Sequence, residues 1–453
     1  MLFTTGLRIG RISMRQLKRN ALHMCGSQLL VALFQGLQFI LIARALGAYD
    51  FGRMAGILAM TGVMLPFSGL GAENVIVIRL ARGTGNARVY FGNALLVAVI
   101  SGLLLVLLYI LWGVTFLPTL ATLQMLVIFG VSEILVTKLI DIAAHVFFGF
   151  DRHVYSGFFY SLHGFLRLLF ASVFFALLYH NAELLNKLQL FSSFIIFPGD
   201  RLELWCWFHL AAGLTTLVFV LFITIRQIGW PTFDLMLAFR ELRIGVFYSI
   251  GLSSKSVYIN IDKTILARYV SPEINGAYTA AFRLIYMAYT PIQAILSAAS
   301  ARFFRDGASG VGPPFRMATR IVIYGSMYCL VFAMLVFIGA PLIPYLLGDG
   351  YALSTDILRW LALLPLILML QDTYSDALTG ADRQMARSFF QVIVALMCFT
   401  ANMALVPKFS WRGAVCATYF SQIVLAILVM GLIVLLLRRE RTGKYLKTIV
   451  AVK

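Results

Sequence analysis

The chain has 453 residues, 61% of them hydrophobic and only 12% charged, with a formal net charge of +18; its mean hydropathy is +0.89. Soluble domains use roughly 45–50% apolar and about 25% charged residues, so this composition excludes a water-soluble globular enzyme and points to an all-α polytopic membrane protein. The basic excess does not indicate nucleic acid, because Lys and Arg are spread over alternate loops rather than gathered on one soluble face with aromatic interleaving.

A helix needs about 20 apolar residues to cross a hydrocarbon core of about 30 Å. Runs of that length predict about twelve spans, at 21–43, 51–71, 89–112, 120–148, 156–180, 203–226, 245–267, 274–297, 318–339, 352–378, 388–407 and 413–437. The first follows Arg8, Arg11, Arg15, Lys18 and Arg19; it is too long for a signal-peptide core and lacks a small-residue cleavage site, so it is expected to stay in the mature protein. With the N-terminus in the cytoplasm, Arg79, Arg82, Arg88, Arg152, Arg226, Arg240, Arg243, Arg302, Arg305, Arg316, Arg320, Arg383 and Arg387 fall inside, as does the tail with Arg438, Arg439, Arg441, Lys444 and Lys447. The outer loops keep chiefly Arg44, Arg53, Lys187, Arg201, Arg268, Lys408 and Arg412. This positive-inside bias places both termini in the cytoplasm of a multi-pass membrane protein.

Short motifs repeat in order. Ala43-Arg44 followed by Gly52 recurs in the second half, with the same internal spacing, as Ala267-Arg268 followed by Gly276. Gly149-Phe150-Asp151-Arg152 followed by Phe158-Phe159 likewise recurs as Gly380-Ala381-Asp382-Arg383 followed by Phe389-Phe390, and Arg79-Leu80-Ala81-Arg82 has a looser match in Arg302-Phe303-Phe304-Arg305. Six spans is an even number, so the copies cross in the same sense and form two parallel six-helix lobes. The expected boundaries are 1–226 for the N-terminal lobe, 227–244 for an interfacial linker, 245–437 for the C-terminal lobe and 438–453 for a basic cytoplasmic tail. The linker opens at Trp230-Pro231 and is amphipathic through Phe233, Leu235, Met236, Phe239 and Leu242.

Ionisable residues within spans are functional candidates, because a charge at the bilayer centre costs roughly 2.5–3.5 kcal/mol on insertion scales. The fourth span carries Glu133, Lys138, Asp141 and His145; the acids and the histidine share a face, and Lys138 can pair with Asp141. The second repeat places Asp372 opposite Asp141 and Asp376 opposite His145. These matched positions read either as a shared cavity lining or as neutral pairs between helices. Lys255, Tyr258 and Asp262 in the seventh span follow i, i+3, i+7, a face that must look at protein or water. Asp262 aligns with Gln38, one turn from Gln35. In the eighth span Tyr278, Phe282, Tyr286 and Tyr289 form an aromatic stripe beside Arg283, suited to sugar stacking and phosphate binding or simply to packing. Arg167 with His163, and Arg359 with Asp356, are further candidates; the latter two can neutralise one another. The five cysteines (Cys25, Cys206, Cys329, Cys398, Cys416) stand singly in apolar runs, without metal-ligand spacing, and read as small hydrophobes. No GxxxxGK[ST] motif occurs, which removes that route to ATP hydrolysis.

Leu41-Ile42-Ala43-Arg44-Ala45-Leu46-Gly47, then Asp50-Phe51-Gly52 and Gly69-Leu70-Gly71, with Ile261-Asp262-Lys263 and Gly276-Ala277-Tyr278 in the second half, resemble the polysaccharide-transporter branch of the multidrug/oligosaccharidyl-lipid/polysaccharide exporter superfamily, the O-antigen flippase type. The resemblance covers essentially the whole chain. It implies two six-helix lobes in a V around a central cavity, and movement of polyprenyl-diphosphate-linked oligosaccharides between leaflets. It also implies basic cavity residues, a role that falls here on Lys255, Arg283 and Arg359. Twelve spans is unlike the fourteen of peptidoglycan-precursor flippases.

The substrate cavity is therefore expected to include Lys255, Asp262, Arg283, Tyr286, Arg359 and Arg167, with Asp141, His145 and Asp372 as candidate ion-coupling groups. No catalytic residue, metal or cofactor is expected. The expected partners are a lipid-linked oligosaccharide, membrane lipids, and a polysaccharide polymerase with its export machinery. Three other readings compete, one of them a purely structural scaffold, against which the buried polar faces count. An ion-coupled drug or metabolite antiporter of the same fold would favour acids and aromatics for organic cations, and a membrane-embedded glycosyltransferase would need carboxylates on a large outer loop, where 181–202 offers only Glu183 and Asp200.

Overall fold

The computed structural model describes residues 14–83, 85–180, 200–307 and 310–451. Arg8, Arg11, Glu183, Lys187 and most of the expected outer loop lie outside the described residues.

Every expected span lands on helix. The first two are continuous in α1 (Met14–Met64), broken at Gly47, whose φ of 71° and ψ of 174° turn the chain back. A positive φ costs glycine nothing, because it has no Cβ to clash. The second span continues through a 3₁₀ turn, Leu65–Gly71, into α2 (Ala72–Ala81). Then come α3 (Ala87–Phe116), α4 (Leu123–Gly130) and α5 (Thr137–Gly149), the last two joined by a π turn, Val131–Val136. The N-terminal lobe closes with α6 (His153–His180) and α7 (Arg201–Ile228). The second lobe has α8 (Leu235–Tyr269), α9 (Pro272–Gly307), α10 (Gly312–Gly339), α11 (Ile343–Leu347), α12 (Ala352–Leu361), α13 (Leu364–Gly380), α14 (Gln384–Phe409) and α15 (Trp411–Ala451). The amphipathic stretch after Trp230 runs without a break into the seventh span, as the first turns of α8.

Among the described residues, seven helical stretches are long and apolar enough to cross a bilayer. One of them, Gly26–Ala81, is long enough to cross twice, and the pair 349–361 and 364–380, bent by 49°, is an eighth. The spans missing from that set are the fourth, which the π turn divides into shorter helices, and the seventh and eighth, whose polar residues lower their apolarity. Those helices are shielded from lipid by protein, which is the only place a membrane tolerates them.

The two halves repeat at the level of single hydrogen bonds. The fourth span ends with Asp151 at a φ of 58°, and the tenth ends with Asp382 at 59°. The Arg152 amide donates to the Phe147 carbonyl (2.8 Å) and the Asp151 amide to that of Phe148 (3.0 Å). At the matching positions of the second repeat, Arg383 donates to Leu378 (2.9 Å) and Asp382 to Thr379 (3.1 Å). This is a helix stop in which a left-handed residue returns the last amides to orphan carbonyls, with Asp in the place glycine usually takes.

The lobes meet chiefly through α1 of the first and α8 and α9 of the second. At the end of the bundle opposite the termini the contact is reciprocal. A Cβ on Gly52 would run into the Pro272 carbonyl oxygen, and one on Gly276 into that of Ala48. Ala48 and Gly52 are the repeat partners of Pro272 and Gly276, so one backbone patch packs against its own copy. The Asn275 amide donates to the Gly52 carbonyl (2.9 Å) and the Tyr351 hydroxyl to that of Ala43 (2.8 Å), which closes this end.

Candidate functional site

Between the lobes lies a polar cavity in two connected chambers, of about 610 and 470 Å³, which share Ala32, Gln35, Arg167, Thr290 and Gln293 on their walls. The larger chamber is lined by Ser27, Ser300 and Arg387 toward the end of the bundle that carries the chain termini, and the smaller reaches Phe51 near the closed end. The cavity therefore opens on the terminal side.

Its charges come from the π turn of the fourth span and from α6, α8, α9, α13 and α14. On the N-terminal wall Glu133, in the π turn, accepts hydrogen bonds from Arg167 Nη2 and lies against His209 Nε2, both at 2.5 Å. A π turn rotates the helix locally and is frequent at functional positions; here it presents Glu133 to α6 and α7 at once. On the C-terminal wall Lys255 Nζ lies 3.4 Å from Asp372 Oδ1, and Tyr289 donates to the other carboxylate oxygen at 3.0 Å. Nearer the mouth Arg387 pairs with Asp376 at 3.0 Å. Each cavity carboxylate thus holds a cation. Arg283 is the remainder: it is exposed to the smaller chamber and stands over the Phe39 ring at 5.6 Å. Among the described residues no carboxylate lies within ion-pair reach of it.

Of the residues expected to line a cavity, Lys255, Arg283, Tyr286, Arg167 and Asp372 stand on its wall. Tyr286 stacks on Phe282 with ring centroids 4.9 Å apart. Asp262 is elsewhere. It is 0% exposed inside the second lobe, where it accepts from Lys263 Nζ (2.9 Å) and the Tyr278 hydroxyl (2.6 Å). Lys263 in turn sits 3.5 Å from the centre of the Phe282 ring. The i, i+7 spacing from Lys255 does align Asp262 with it, but α8 leaves the cavity edge within that distance and Asp262 turns into packed protein. Arg359 is also off the cavity, in the last turn of α12. Its guanidinium lies 3.9 Å from Asp356, over the Phe337 ring at 5.3 Å.

Asp141 and His145 form a separate network within the first lobe. Lys138, buried with Glu73 at 3.0 Å, reaches Asp141 at 3.7 Å; His145 is 3.4 Å from Asp141, and the Tyr160 hydroxyl donates to it at 2.5 Å. Only Tyr160 of this group lines the cavity. Two site residues escaped the reading of the sequence as cavity groups, His209 and Arg387, the first a lone histidine in an apolar run and the second assigned to a loop. Among the described residues no group of His, Cys, Asp and Glu is arranged to hold a metal ion.

The fold is that of known transporters. The chain superposes on the inward-facing conformation of a multidrug resistance MATE family transporter of the MOP superfamily with a TM-score of 0.65, at 14% identity over 95% of this chain and 97% of that one. The outward-facing conformation of such a transporter gives 0.59, at 15% identity over 93% and 97%. A MOP superfamily transporter from Pyrococcus furiosus, described as having a binding pocket of reverse polarity, gives 0.60, at 15% identity over 92% and 96%. No curated protein matches the chain significantly. A family model, that of the polysaccharide biosynthesis proteins, matches residues 17–301, more than half of the chain, so a multi-pass transporter fold with a polar cavity between two repeated lobes belongs to a member of the polysaccharide biosynthesis protein family.

Proposed function

We propose that the protein flips a polyprenyl-diphosphate-linked oligosaccharide repeat unit across the bacterial inner membrane, supplying surface or exopolysaccharide synthesis. The observation that carries this reading is the surplus cation of the cavity. Glu133, Asp372 and Asp376 are each matched by Arg167, Lys255 and Arg387, and Arg283 is left facing open space. An uncompensated guanidinium at membrane depth is costly, and a bound anion offsets that cost; the planar fork suits a phosphate oxygen pair. Membership of a polysaccharide biosynthesis family supports a glycan as the rest of the cargo.

Diphosphate and sugars enter from the open, cytoplasmic side, while the prenyl tail stays in lipid. Arg283 holds the diphosphate. Parting of the Gly52 and Gly276 patches, with closure of the mouth around Ser27 and Ser300, then exposes the cargo to the other face, as alternating access requires. Asp372, on the cavity wall, is the ion-coupling candidate that the geometry favours over Asp141 and His145. The polymerase and export machinery that take up the product are the partners this reading implies.

The test is leaflet translocation of a fluorescent polyprenyl-diphosphate oligosaccharide in proteoliposomes, with and without an imposed proton or sodium gradient. Translocation above empty vesicles, lost in Arg283→Gln, is the expected result. A folded protein that moves none of several such glycolipids, yet exchanges soluble organic cations, would overturn the proposal in favour of antiport.

A further inference from the structure

The cavity is not charged all round, and its uncharged part is as ordered as the rest. α1 carries no charged residue between Arg19 and Arg44, and α9 none between Arg283 and Arg302. Along these two facing helices the larger chamber is lined instead by Gln28 and Gln35 on one side, and by Gln293, Ser297 and Ser300 on the other. Each set recurs at helical spacing, i, i+7 on α1 and i, i+4, i+7 on α9, so each forms a stripe about 10 Å long.

The three glutamines are exposed, and no hydrogen bond to their side chains is found among the described residues. An amide placed against hydrocarbon without a partner costs a few kcal/mol, so their common aim into the cavity provides for water or a polar cargo. The seam has a further acceptor. Pro291 has no N–H, so the carbonyl of Met287, itself on the cavity wall, lacks its helical donor. The Thr290 hydroxyl, by contrast, is committed to the Tyr286 carbonyl at 3.3 Å.

We infer that this neutral seam between α1 and α9 reads the sugar hydroxyls of the cargo, as a recognition element distinct from the guanidinium that holds its diphosphate. The inference rests on the flippase reading above. An amide offers two donors and a two-lone-pair acceptor, and a serine hydroxyl both roles, the match that vicinal sugar hydroxyls require and that a phosphate, an acceptor only, does not. The geometry also orders the cargo. Gln293 lies about 15 Å along α9 from Arg283, on the side of the mouth, so the diphosphate sits deep and the glycan trails toward the terminal side. Charge then sets how tightly any prenyl diphosphate binds, and the seam sets which glycan is accepted.

The test measures binding to the purified full chain in nanodiscs of two probes: bare polyprenyl diphosphate, and the polyprenyl-diphosphate glycans extracted from the producing cells. Wild type is expected to prefer the glycosylated lipid by about tenfold or more, since each neutral hydrogen bond contributes a factor of several. The double variant Gln35→Leu/Gln293→Leu loses that preference and keeps its affinity for the bare lipid, whereas Arg283→Gln weakens both probes together. Leucine is at home in a span, and the single variants serve if the double one melts early. A double variant that retains the wild-type preference overturns the inference. Equal binding of both probes by wild type overturns it too, while leaving the diphosphate reading intact; binding of neither removes the flippase reading itself.

Discussion

Asp141 and Asp372 occupy the same position in the two repeats, yet the molecule uses them differently. Asp141 is tied to Lys138, His145 and Tyr160 within one lobe, all from α5 and α6. Asp372 takes its lysine from α8 and its tyrosine from α9, the two helices that meet the other lobe, and stands on the cavity wall with Lys255. The repeat therefore keeps the backbone, down to the paired helix stops at Asp151 and Asp382, while the neighbours of matched side chains have diverged. At this matched position the first lobe uses its aspartate as internal bracing, and the second presents its own to the cavity.

The largest effect is expected at the one contact where the two repeats still behave alike. Gly276→Leu drives a side chain into the Ala48 carbonyl, and overpacking of this kind costs about 1–3 kcal/mol or more in the closed form alone. Translocation is expected to disappear, and spin labels at positions 49 and 273 to move apart; an unchanged distance with normal transport would sink the assignment of this contact as the closure.

The bracing role predicts the next largest effect, on stability. Glu73 and Lys138 pair at 3.0 Å with side chains only 5% exposed, and removing one partner of a buried pair typically costs about 3–5 kcal/mol. Glu73→Gln should lower the melting temperature sharply while leaving translocation per folded molecule near wild type. Asp372→Asn should do the opposite, because Lys255 beside it is 36% exposed and water compensates the lost pair. Thermal melts and transport rates on the two variants, taken side by side, decide the contrast.

Arg283→Gln tests the surplus charge itself. A charge-assisted hydrogen bond is worth about 1.5–3 kcal/mol, so affinity for polyprenyl diphosphate should fall about 10- to 150-fold by binding in nanodiscs, without loss of stability, since no protein carboxylate depends on this residue. The smallest effect is expected at Arg359. Its exposed pairing with Asp356 at 3.9 Å belongs to a class worth about 0–1 kcal/mol, and Arg359→Ala should leave both melting temperature and transport within error of wild type.

Much of this is legible in the chain. Hydropathy locates most spans because a bilayer demands long apolar runs, while the seventh and eighth stand out as too polar to face lipid. The recurrence of Ala43-Arg44 as Ala267-Arg268, and of Asp151-Arg152 as Asp382-Arg383, reveals the two lobes because the repeated residues sit at turns and close contacts, where few side chains are tolerated. Lys255, Arg283, Tyr286, Arg167 and Asp372 emerge from asking which polar groups a span would not carry for lipid's sake. The same question also selects Asp262, Asp141, His145 and Arg359, since a cost of burial says only that a group needs a partner and not whether that partner is protein or cargo. His209 gives no signal, being a single imidazole whose meaning depends on Glu133, 76 residues away.

The class of molecule, the number and order of its spans and its twofold repetition are already present in the linear chain, because they follow from the bilayer's thickness and from local backbone chemistry that each segment carries alone. Which charges face the cavity is settled by packing between distant helices. Asp141 and Asp262 are held by cations of their own helices, whereas Glu133, Asp372 and Asp376 on the cavity wall take theirs from other helices. Arg283 became the candidate site because, among the described residues, it is the cavity cation that the packing leaves without a carboxylate in ion-pair contact.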